Sequence, residues 1–402
     1  MTAVEASREA TIAAPADEVA ATAHADAYAV SGTAHPRFAG VLEAIERNLR
    51  TGDDLGCSVA VYQHGEPVVD AWAGVTTAGA PLPGDAVHPL FSISKALVGF
   101  CVARLVDDGE LSLDERVAHY WPEFAAAGKG SVTVAQLLAH QAGLPGFDEP
   151  MTLDRLADWH DCVALLASQT PRWAPGTAHG YHALTVGYLA GEVIRRITGT
   201  TVGTYFRRQF AEPLGLRAWI GLPEAEIAHV QRTAEPFATP GVGDAFGVAL
   251  ADRSSDTTAA FANPPVSATM FNDGSLFARE MPAANGVADA RSLARLMSVA
   301  VDGPLRALTP ETVSLVSSAR TTGYDRVLVG QRSRFGALFF VTTPDEPMLG
   351  RRSFGHNGFG GGLAFVDPES GIAFAYLGNR PNLDPNPHSR VSRLIEAVRD
   401  SL

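Results

Sequence analysis

The sequence predicts an α+β protein in which both ends of the chain build one antiparallel sheet and a mainly helical lobe is inserted between them. Strand-like apolar runs joined by short turns occur near each end, and an amphipathic helix accompanies each group. Short connections favour antiparallel neighbours, because parallel strands need a long crossover between them. Between the two groups, the chain carries mainly helical patterns and Gly/Pro-rich connections.

The N-terminal group contains one predicted helix and two predicted strands. Apolar residues recur with helical spacing from Phe38 to Leu49, which predicts an amphipathic helix. Ser58–Tyr62 and Pro67–Trp72 are rich in β-branched and aromatic residues, and the polar turn Gln63–Glu66 separates them. These three segments predict a helix followed by a β-hairpin.

The C-terminal group has the same components in reverse order. Leu363–Val366 and Ile372–Leu377 are apolar runs joined by the turn Asp367–Gly371, which predicts a second hairpin. Apolar residues on one face from Val391 to Leu402 predict a closing helix. Helical stretches in the middle of the chain are predicted at Leu184–Ile197, 202–211 and 290–301.

These elements divide the chain into three parts. Residues 1–33 are Ala-rich without an apolar face, which predicts a disordered tail. Residues 34–402 then form the folded domain. Within that domain, the sheet part is expected at about 34–110 and 330–402, and the mainly helical lobe at about 111–329.

Composition limits the partners. The 402 residues are 46% hydrophobic, enough for a sizeable core, and the net charge of −13 argues against nucleic acid or an anionic membrane as partner. No run approaches the roughly 18 consecutive apolar residues of a membrane span. The three cysteines show no paired spacing and the N-terminal segment does not resemble a signal peptide, so a cytoplasmic protein is expected.

Only two of the 31 basic residues are lysines, Lys95 and Lys129. Lys129 lies in a Gly-flanked segment and is expected to be a solvated loop residue. Lys95 follows Ser92 by three positions at the start of an apolar helix, a spacing at which the amine reaches the hydroxyl. Apolar surroundings favour the neutral amine, which accepts a proton. The alternative is that Ser92 merely caps the helix and Lys95 lies at the surface.

Two further segments support a catalytic site. The Pro/Gly turn 174–181 delivers Tyr181 to the start of a predicted helix, where its hydroxyl would relay a proton. The segment 355–362 is the most Gly-dense part of the chain and allows backbone N–H groups to approach a ligand closely. Taken alone, Tyr181 is better explained as an ordinary half-buried tyrosine, and a flexible loop is the alternative for the segment 355–362.

Other candidate constellations are weaker. Ser58 lies in a sequence similar to the nucleophile elbow of α/β-hydrolases, but inside a predicted strand. His179 and His182 have no third ligand at a suitable spacing, so no metal is expected. Cys162 follows a histidine and an aspartate, but adjacent helical residues point in different directions. No cofactor motif was found either.

The three stronger segments together resemble the serine β-lactamase and penicillin-binding-protein superfamily, and most of all its family VIII carboxylesterases, whose fold is β-lactamase/transpeptidase-like. Ser92–Lys95 matches the S-x-x-K motif, Tyr181 the tyrosine of Y-x-N, and His356–Gly358 the K-T-G motif in an H-x-G form. Supporting matches are Leu137–Leu144, Asp70–Gly74 and Asn285–Gly286. The resemblance runs from about His35 to the C-terminus.

The resemblance implies a role for each motif residue. Ser92 would be the nucleophile, Lys95 its base, and Tyr181 the residue that assists proton transfer. The oxyanion would be bound by the backbone N–H groups of Ser92 and Phe359, and His356 and Gly358 would contact the substrate or orient Tyr181.

Two positions depart from the β-lactamase pattern. Ala183 replaces the asparagine of Y-x-N and His356 the lysine of K-T-G, groups that in β-lactamases contact the substrate's amide and carboxylate. The resemblance therefore implies a serine carboxylesterase acting on small or short-chain acyl esters. A transacylase, an amidase or a weak β-lactamase using the same nucleophile is the alternative, and a catalytically silent binding protein is a third hypothesis. The sequence leaves a homo-oligomer open.

Overall fold

The computed structural model describes residues 28–236, 244–344, 347–382 and 390–402. The helices are α1 Ala39–Arg50, α2 Ser94–Asp107, α3 Val117–Tyr120, α4 Val134–Leu138, α5 Leu153–Leu156, α6 Trp159–Ser168, α7 Thr185–Thr198, α8 Val202–Phe206, α9 Glu212–Leu214, α10 Asp244–Ala251, α11 Asp256–Phe261, α12 Ala290–Met297, α13 Pro310–Ser317 and α14 Arg390–Asp400. The strands are β1 Val30–Ala34, β2 Gly56–Gln63, β3 Glu66–Gly74, β4 His88–Pro89, β5 Ala218–Trp219, β6 Val287–Ala288, β7 Thr321–Tyr324, β8 Arg332–Phe335, β9 Phe340–Val341, β10 Phe354–Asn357, β11 Leu363–Asp367 and β12 Ile372–Gly378.

One large antiparallel sheet joins the two ends of the chain, which confirms the predicted fold class. Within the described residues its strand order is β1-β3-β2-β12-β11-β10-β9-β8-β7. The N-terminal hairpin β2–β3 meets the C-terminal hairpin β11–β12 where β2 pairs with β12, with Val59 opposite Tyr376. A second, smaller sheet has the order β4-β6-β5.

Helices cover both faces of the large sheet. On one face α1 and α14 pack against each other, and Val41 and Ile45 of α1 share an apolar cluster with Val59 of β2 and Leu394 of α14. On the other face, α12 packs on β2, β11 and β12. Because both faces are covered, β2 is buried along almost its whole length and lacks the alternation of a half-exposed strand.

Helix α2 lies at the centre of the protein and carries the candidate nucleophile at its N-terminal end. It packs against α7, α8 and α13, and its residues from Ser94 to Ala103 are all buried. Gly99 allows the ring of Phe339 to approach the helix, because a Cβ there would lie 2.7 Å from that ring. Helices apolar on all sides occur where a protein core surrounds them. This position explains why the Lys95 side chain is buried.

The structure differs from the sequence prediction at the boundaries. Residues 30–33, assigned to the tail, belong to β1, which pairs with β3 from Val30 opposite Ala73 to Ala34 opposite Val69. Residues 1–27 of the predicted tail lie outside the described residues. Strand β7 and helix α12, assigned to the helical lobe, belong to or pack on the large sheet. Pairing with distant strands decides which residues join the sheet, and local sequence patterns do not reveal this pairing. The division of the chain into a sheet part and a helical lobe stays a prediction.

Candidate active site

The site begins at a tight turn that presents Ser92. Residues Phe91–Ile93 form a single 3₁₀ turn directly before α2, and Phe91 has a φ of 47°, a conformation that bulky residues rarely adopt. The Ser94 hydroxyl donates to the Phe91 carbonyl at 2.5 Å and accepts from the Gly286 N–H at 2.9 Å. These two bonds hold the strained turn. They leave Ser92 partly exposed at the end of the central helix.

Lys95 lies one turn further along, with its amine directed at the nucleophile. Its Nζ atom is 3.1 Å from Ser92 Oγ and donates to the Ala283 carbonyl at 2.9 Å. The side chain is 1% exposed and, among the described residues, no carboxylate lies within ion-pair distance of it. Desolvation by burial therefore holds the pKa of Lys95 well below its ordinary value. A neutral amine at hydrogen-bond distance from a serine hydroxyl is suited to accept its proton.

Tyr181 closes the other side of the amine. The centroid of its ring lies 4.8 Å from Lys95 Nζ, and the side chain is 5% exposed. Burial raises the pKa of Tyr181, while the nearby Ser92 side chain acts in the opposite direction. The ring lies nearly parallel to that of Phe335, at 14° and 6.1 Å between centroids. The phenol therefore stays protonated near neutral pH and can donate a proton.

The Tyr181 backbone is held by polar groups on both sides. Asp325 Oδ1 accepts from the Tyr181 N–H at 3.0 Å, and the next N–H, that of His182, donates to His140 Nδ1 at 3.0 Å. His140 is fully buried and has a φ of 62°, so the chain bends sharply there. Burial lowers the pKa of His140 well below its ordinary value, with a further contribution from His182. A neutral imidazole is required for Nδ1 to accept this bond.

Strand β10 and the glycines after it form the remaining wall. His356 is fully buried, its Nδ1 lies 2.6 Å from the Asn357 carbonyl, and its Nε2 has no hydrogen-bond partner within the described parts of the chain. Burial, and then the nearby Lys95, lower the pKa of His356 well below its ordinary value. A Cβ at Gly358 would lie 2.8 Å from the Leu90 carbonyl, so only glycine allows β10 to approach the serine turn this closely.

Phe359 connects this wall to the nucleophile. The ring centroid of Phe359 lies 6.0 Å from that of Phe91, the residue before Ser92. The structure thus gathers Ser92, Lys95, Tyr181, His356, Gly358 and Phe359 around one point, although they come from three distant parts of the sequence. The arrangement is suited to acyl transfer because it combines a nucleophile, a base, a proton donor and backbone N–H groups.

Several supporting residues had no assigned role from the sequence. Ala283 accepts from Lys95 through its backbone carbonyl, which no side-chain pattern reveals. Asp325 also accepts from the N–H groups of Val327 and Leu328, and lies in an ordinary polar loop. His140 belongs to the quoted Leu137–Leu144 motif, which was a signal, although its function of holding residue 182 was not foreseen.

The weaker candidates lie elsewhere or are already hydrogen-bonded. Ser58 is buried in β2, 3.4 Å from His88 Nε2. Both ring nitrogens of His182 are engaged, by the Gly180 carbonyl and the Leu144 N–H. Burial raises the pKa of the Cys162 thiol to about 12, so it is no thiolate nucleophile. In the parts of the chain that the structure describes, no cluster of three or more metal-binding side chains was found.

The prediction for Lys129 is wrong. Its side chain is buried rather than solvated, and Nζ donates to the Gln169 carbonyl at 2.5 Å. Ala127 and Gly128 have positive φ values of 53° and 82°, so the chain turns back and directs the lysine inward. Burial lowers the pKa of Lys129. The glycines beside this lysine indicated a loop correctly, but not the direction in which the side chain points.

Comparison with known proteins decides the family. The family model described as Beta-lactamase matches residues 42–398. The chain belongs to the β-lactamase family. An esterase/β-lactamase from Mycobacterium tuberculosis (strain ATCC 25618 / H37Rv), LipL, is 35% identical to this family member over 367 residues, which cover 87% of this chain and 83% of LipL. These relationships show a serine hydrolase of the β-lactamase superfamily.

Solved structures agree with this assignment. A family VIII carboxylesterase superposes on this β-lactamase-family hydrolase with a TM-score of 0.85 at 33% identity, covering 93% of this chain and all of the other. A penicillin-binding-protein homologue from Caulobacter crescentus has a TM-score of 0.83 at 38% identity, with coverage of 93% and 100%. Within the described residues, the hydrolase has no helix both long and apolar enough to cross a bilayer.

Proposed function

We propose that this hydrolase is a serine carboxylesterase that forms an acyl-enzyme on Ser92. The observation that carries the proposal is the 3.1 Å distance between Lys95 Nζ and Ser92 Oγ, in a setting where burial lowers the lysine pKa. A protonated lysine would bind an oxyanion but would not accept a proton. The neutral amine supplies the base that a serine nucleophile needs at neutral pH.

Acylation follows from this geometry. Ser92 Oγ loses its proton to the Lys95 amine and attacks the ester carbonyl carbon, whose oxygen becomes negative. The N–H groups of Ser92 and Phe359 stabilise that oxygen. Tyr181 donates its phenolic proton to the departing alkoxide and regains a proton from the Lys95 ammonium, so the alcohol leaves neutral and both side chains return to their starting states.

Deacylation uses the same groups in the reverse direction. A water molecule takes the place of the alcohol, loses a proton through Tyr181 to Lys95, and attacks the acyl carbon. Collapse of the tetrahedral intermediate returns the proton to Ser92 Oγ and releases the acid. The high pKa of Tyr181 suits this exchange, because the phenol is protonated whenever it is not transferring a proton.

His356 is proposed to act as a neutral hydrogen-bond acceptor. Its Nδ1 donates to the Asn357 carbonyl, so Nε2 keeps its lone pair, and this buried atom has no partner among the residues that the structure describes. The His356 and Tyr181 ring centroids lie 6.1 Å apart. A bound substrate or the Tyr181 hydroxyl would satisfy Nε2, and a neutral ring offers no charge to a β-lactam carboxylate.

Small or short-chain acyl esters are the proposed substrates. The support is the neutral His356 and the presence of Ala183, a side chain without polar atoms, beside Tyr181. A weak β-lactamase activity is the second candidate, because the relative LipL is named an esterase/β-lactamase. A cytoplasmic location is proposed as well, since all three cysteines are buried free thiols.

Intact-mass spectrometry tests the proposal. The protein is mixed with p-nitrophenyl acetate or a fluorophosphonate, and a peptide map locates the adduct. Ser92→Ala should abolish both the adduct and turnover, whereas Ser58→Ala, a matched control at a buried strand position, should retain them. Labelling at another residue, or near-wild-type turnover by Ser92→Ala, would refute the assignment. Hydrolysis of a chromogenic cephalosporin measures β-lactamase activity, and product analysis with added alcohols or amines reveals acyl transfer.

A further inference from the structure

A fully buried arginine contacts the Gly-rich loop that follows β10. Arg390, at the first position of α14, is 2% exposed, and within the described residues its guanidinium lies 2.5–2.9 Å from four acceptors. The acceptors are the carbonyl groups of Asp53, Arg380 and Gly360 and the Oδ1 atom of Asp54. Burying a charge is unfavourable unless its hydrogen bonds are satisfied. The proposed ester hydrolysis uses none of these groups directly.

One of these acceptors belongs to the loop that carries the second oxyanion donor. Gly360 directly follows Phe359, and its carbonyl accepts from Arg390 Nη2 at 2.5 Å and from the Asn382 N–H at 2.9 Å. The adjacent Gly360 and Gly361 have φ values of 87° and 97°. Glycines in this region have many accessible conformations, so the loop needs external contacts to stay in one of them.

The contacts inside the loop do not by themselves locate the Phe359 N–H relative to Ser92. The Gly358 N–H donates to the Gly362 carbonyl at 2.7 Å, and the Gly361 N–H donates to the Gly358 carbonyl at 3.0 Å. These bonds close the loop on itself. The bonds that the Gly360 carbonyl accepts from Arg390 and from the Asn382 N–H connect it to the rest of the protein one residue after the donor N–H.

The other end of the guanidinium is held by the sheet. Asp54 Oδ1 accepts from Arg390 at 2.8 Å and from the Tyr376 hydroxyl at 2.5 Å, and Tyr376 is a fully buried residue of β12. Through Asp54, Arg390 therefore connects the Gly360–Gly362 backbone to the buried strand β12. A planar guanidinium offers five N–H donors in a fixed fork over three nitrogens, whereas an ammonium offers three donors on one atom.

We infer that Arg390 is a positioning residue. Through Gly360 it holds the loop Gly358–Gly362, so that the Phe359 N–H points at the carbonyl oxygen of the reacting ester. This inference rests on the proposed function. An oxyanion donor is worth about 10²–10³-fold in kcat when it is removed. A donor that remains present but is poorly aimed should lose part of this, on the order of 10–100-fold.

The variant Arg390→Lys keeps the charge and removes the planar fork. Its affinity is measured for a trifluoromethyl ketone, which forms a tetrahedral oxyanion adduct with Ser92, together with kcat and KM for p-nitrophenyl acetate. We expect ketone affinity and kcat to fall about 10–100-fold while KM changes by less than about threefold. General loosening of the site would instead raise KM and weaken all ligands similarly.

Tyr376→Phe is the matched control. It removes the 2.5 Å bond to Asp54 from the same buried cluster, but Arg390 keeps its bonds to Gly360 and to the Asp53 and Arg380 carbonyls, so the loop stays anchored. Its melting temperature should fall while its ketone affinity stays within about threefold of wild type. If Arg390→Lys does not fold, Arg390→Gln, which has an amide donor and no charge, is measured in the same way.

The outcomes separate the two proposals. Unchanged ketone affinity and kcat in folded Arg390 variants, with Ser92 labelled in the wild type, would overturn the role of Arg390 alone. An equal loss of ketone affinity in Tyr376→Phe would also overturn it, because stability would then explain the effect. Failure of the ketone and of a fluorophosphonate to modify Ser92 in the wild type would reject the proposed function itself.

Discussion

Replacing Lys95 by arginine tests the proposed base directly. The change places a permanently positive group near Ser92 Oγ, which lies 3.1 Å from the present amine, and a guanidinium accepts no proton. If Lys95 only attracted negative charge, Arg would replace it. If Lys95 takes the serine proton, Lys95→Arg removes that step completely.

The expected loss follows from the role of a general base. Such a base contributes about 10²–10⁴-fold to the rate, which corresponds to about 3–5 kcal/mol of activation free energy. The larger arginine enters a site where the lysine is 1% exposed, and overpacking of this kind costs about 1–3 kcal/mol of stability. Activity and stability must therefore be measured separately.

Lys95→Met separates them, because methionine fills a similar volume without a charge. Burial lowers the pKa of Lys95 in the folded protein. Between that lowered pKa and about 10, the unfolded chain binds the proton more strongly than the folded chain, so falling pH destabilises the wild type. Methionine has no proton to bind. The melting temperature of Lys95→Met relative to wild type should therefore rise as the pH is lowered from about 10 to 7, while its activity is lost.

The assay is steady-state hydrolysis of p-nitrophenyl acetate by folded protein, with circular dichroism as the control for folding. Wild-type kcat should decrease toward low pH as Lys95 becomes protonated, and this limb should lie well below the ordinary lysine pKa of about 10.4. A Lys95→Arg enzyme that keeps more than about a tenth of the wild-type kcat would refute the reasoning.

Three further predictions concern the residues around this pair. Tyr181→Phe removes the proton donor and should lower kcat about 10²-fold or more with little change in KM, measured on the same ester; an effect on KM alone would contradict its role. Asp325→Asn keeps the shape of the side chain but weakens the acceptor of the Tyr181 N–H, so kcat should fall about tenfold. A lower melting temperature with unchanged kcat would contradict this prediction. Gly358→Ala places a Cβ 2.8 Å from the Leu90 carbonyl and should slow fluorophosphonate labelling of Ser92. A labelling rate equal to that of the wild type would show that the serine turn accommodates the extra methyl group.

The sequence predicted the central residues of the site because their chemistry restricts the choice of amino acid. A lysine in a chain that otherwise uses arginine, three residues after a serine and inside an apolar helix, already indicated a base, and the distance of 3.1 Å agrees with that reading. The sheet formed from both chain ends was also predictable, since the hairpins carry their own turn residues.

Residues that act through the backbone were not predictable. The Ala283 carbonyl, the Gly360 carbonyl and the strained φ of Phe91 depend on where distant segments meet, and no side-chain pattern encodes them. The same is true of Lys129, where a local turn decides that the amine lies inside.

The amino-acid sequence by itself determined which reactive groups this hydrolase has and which secondary structures hold them, because helical spacing and turn residues act over a few positions. Only the tertiary structure decided their protonation and aim. Burial lowers the pKa of Lys95 and raises that of Tyr181, since both depend on how much water the surrounding chain excludes. The Gly360 carbonyl, next to Phe359, accepts a hydrogen bond from an arginine thirty positions further along the chain, a contact that only the folded chain creates.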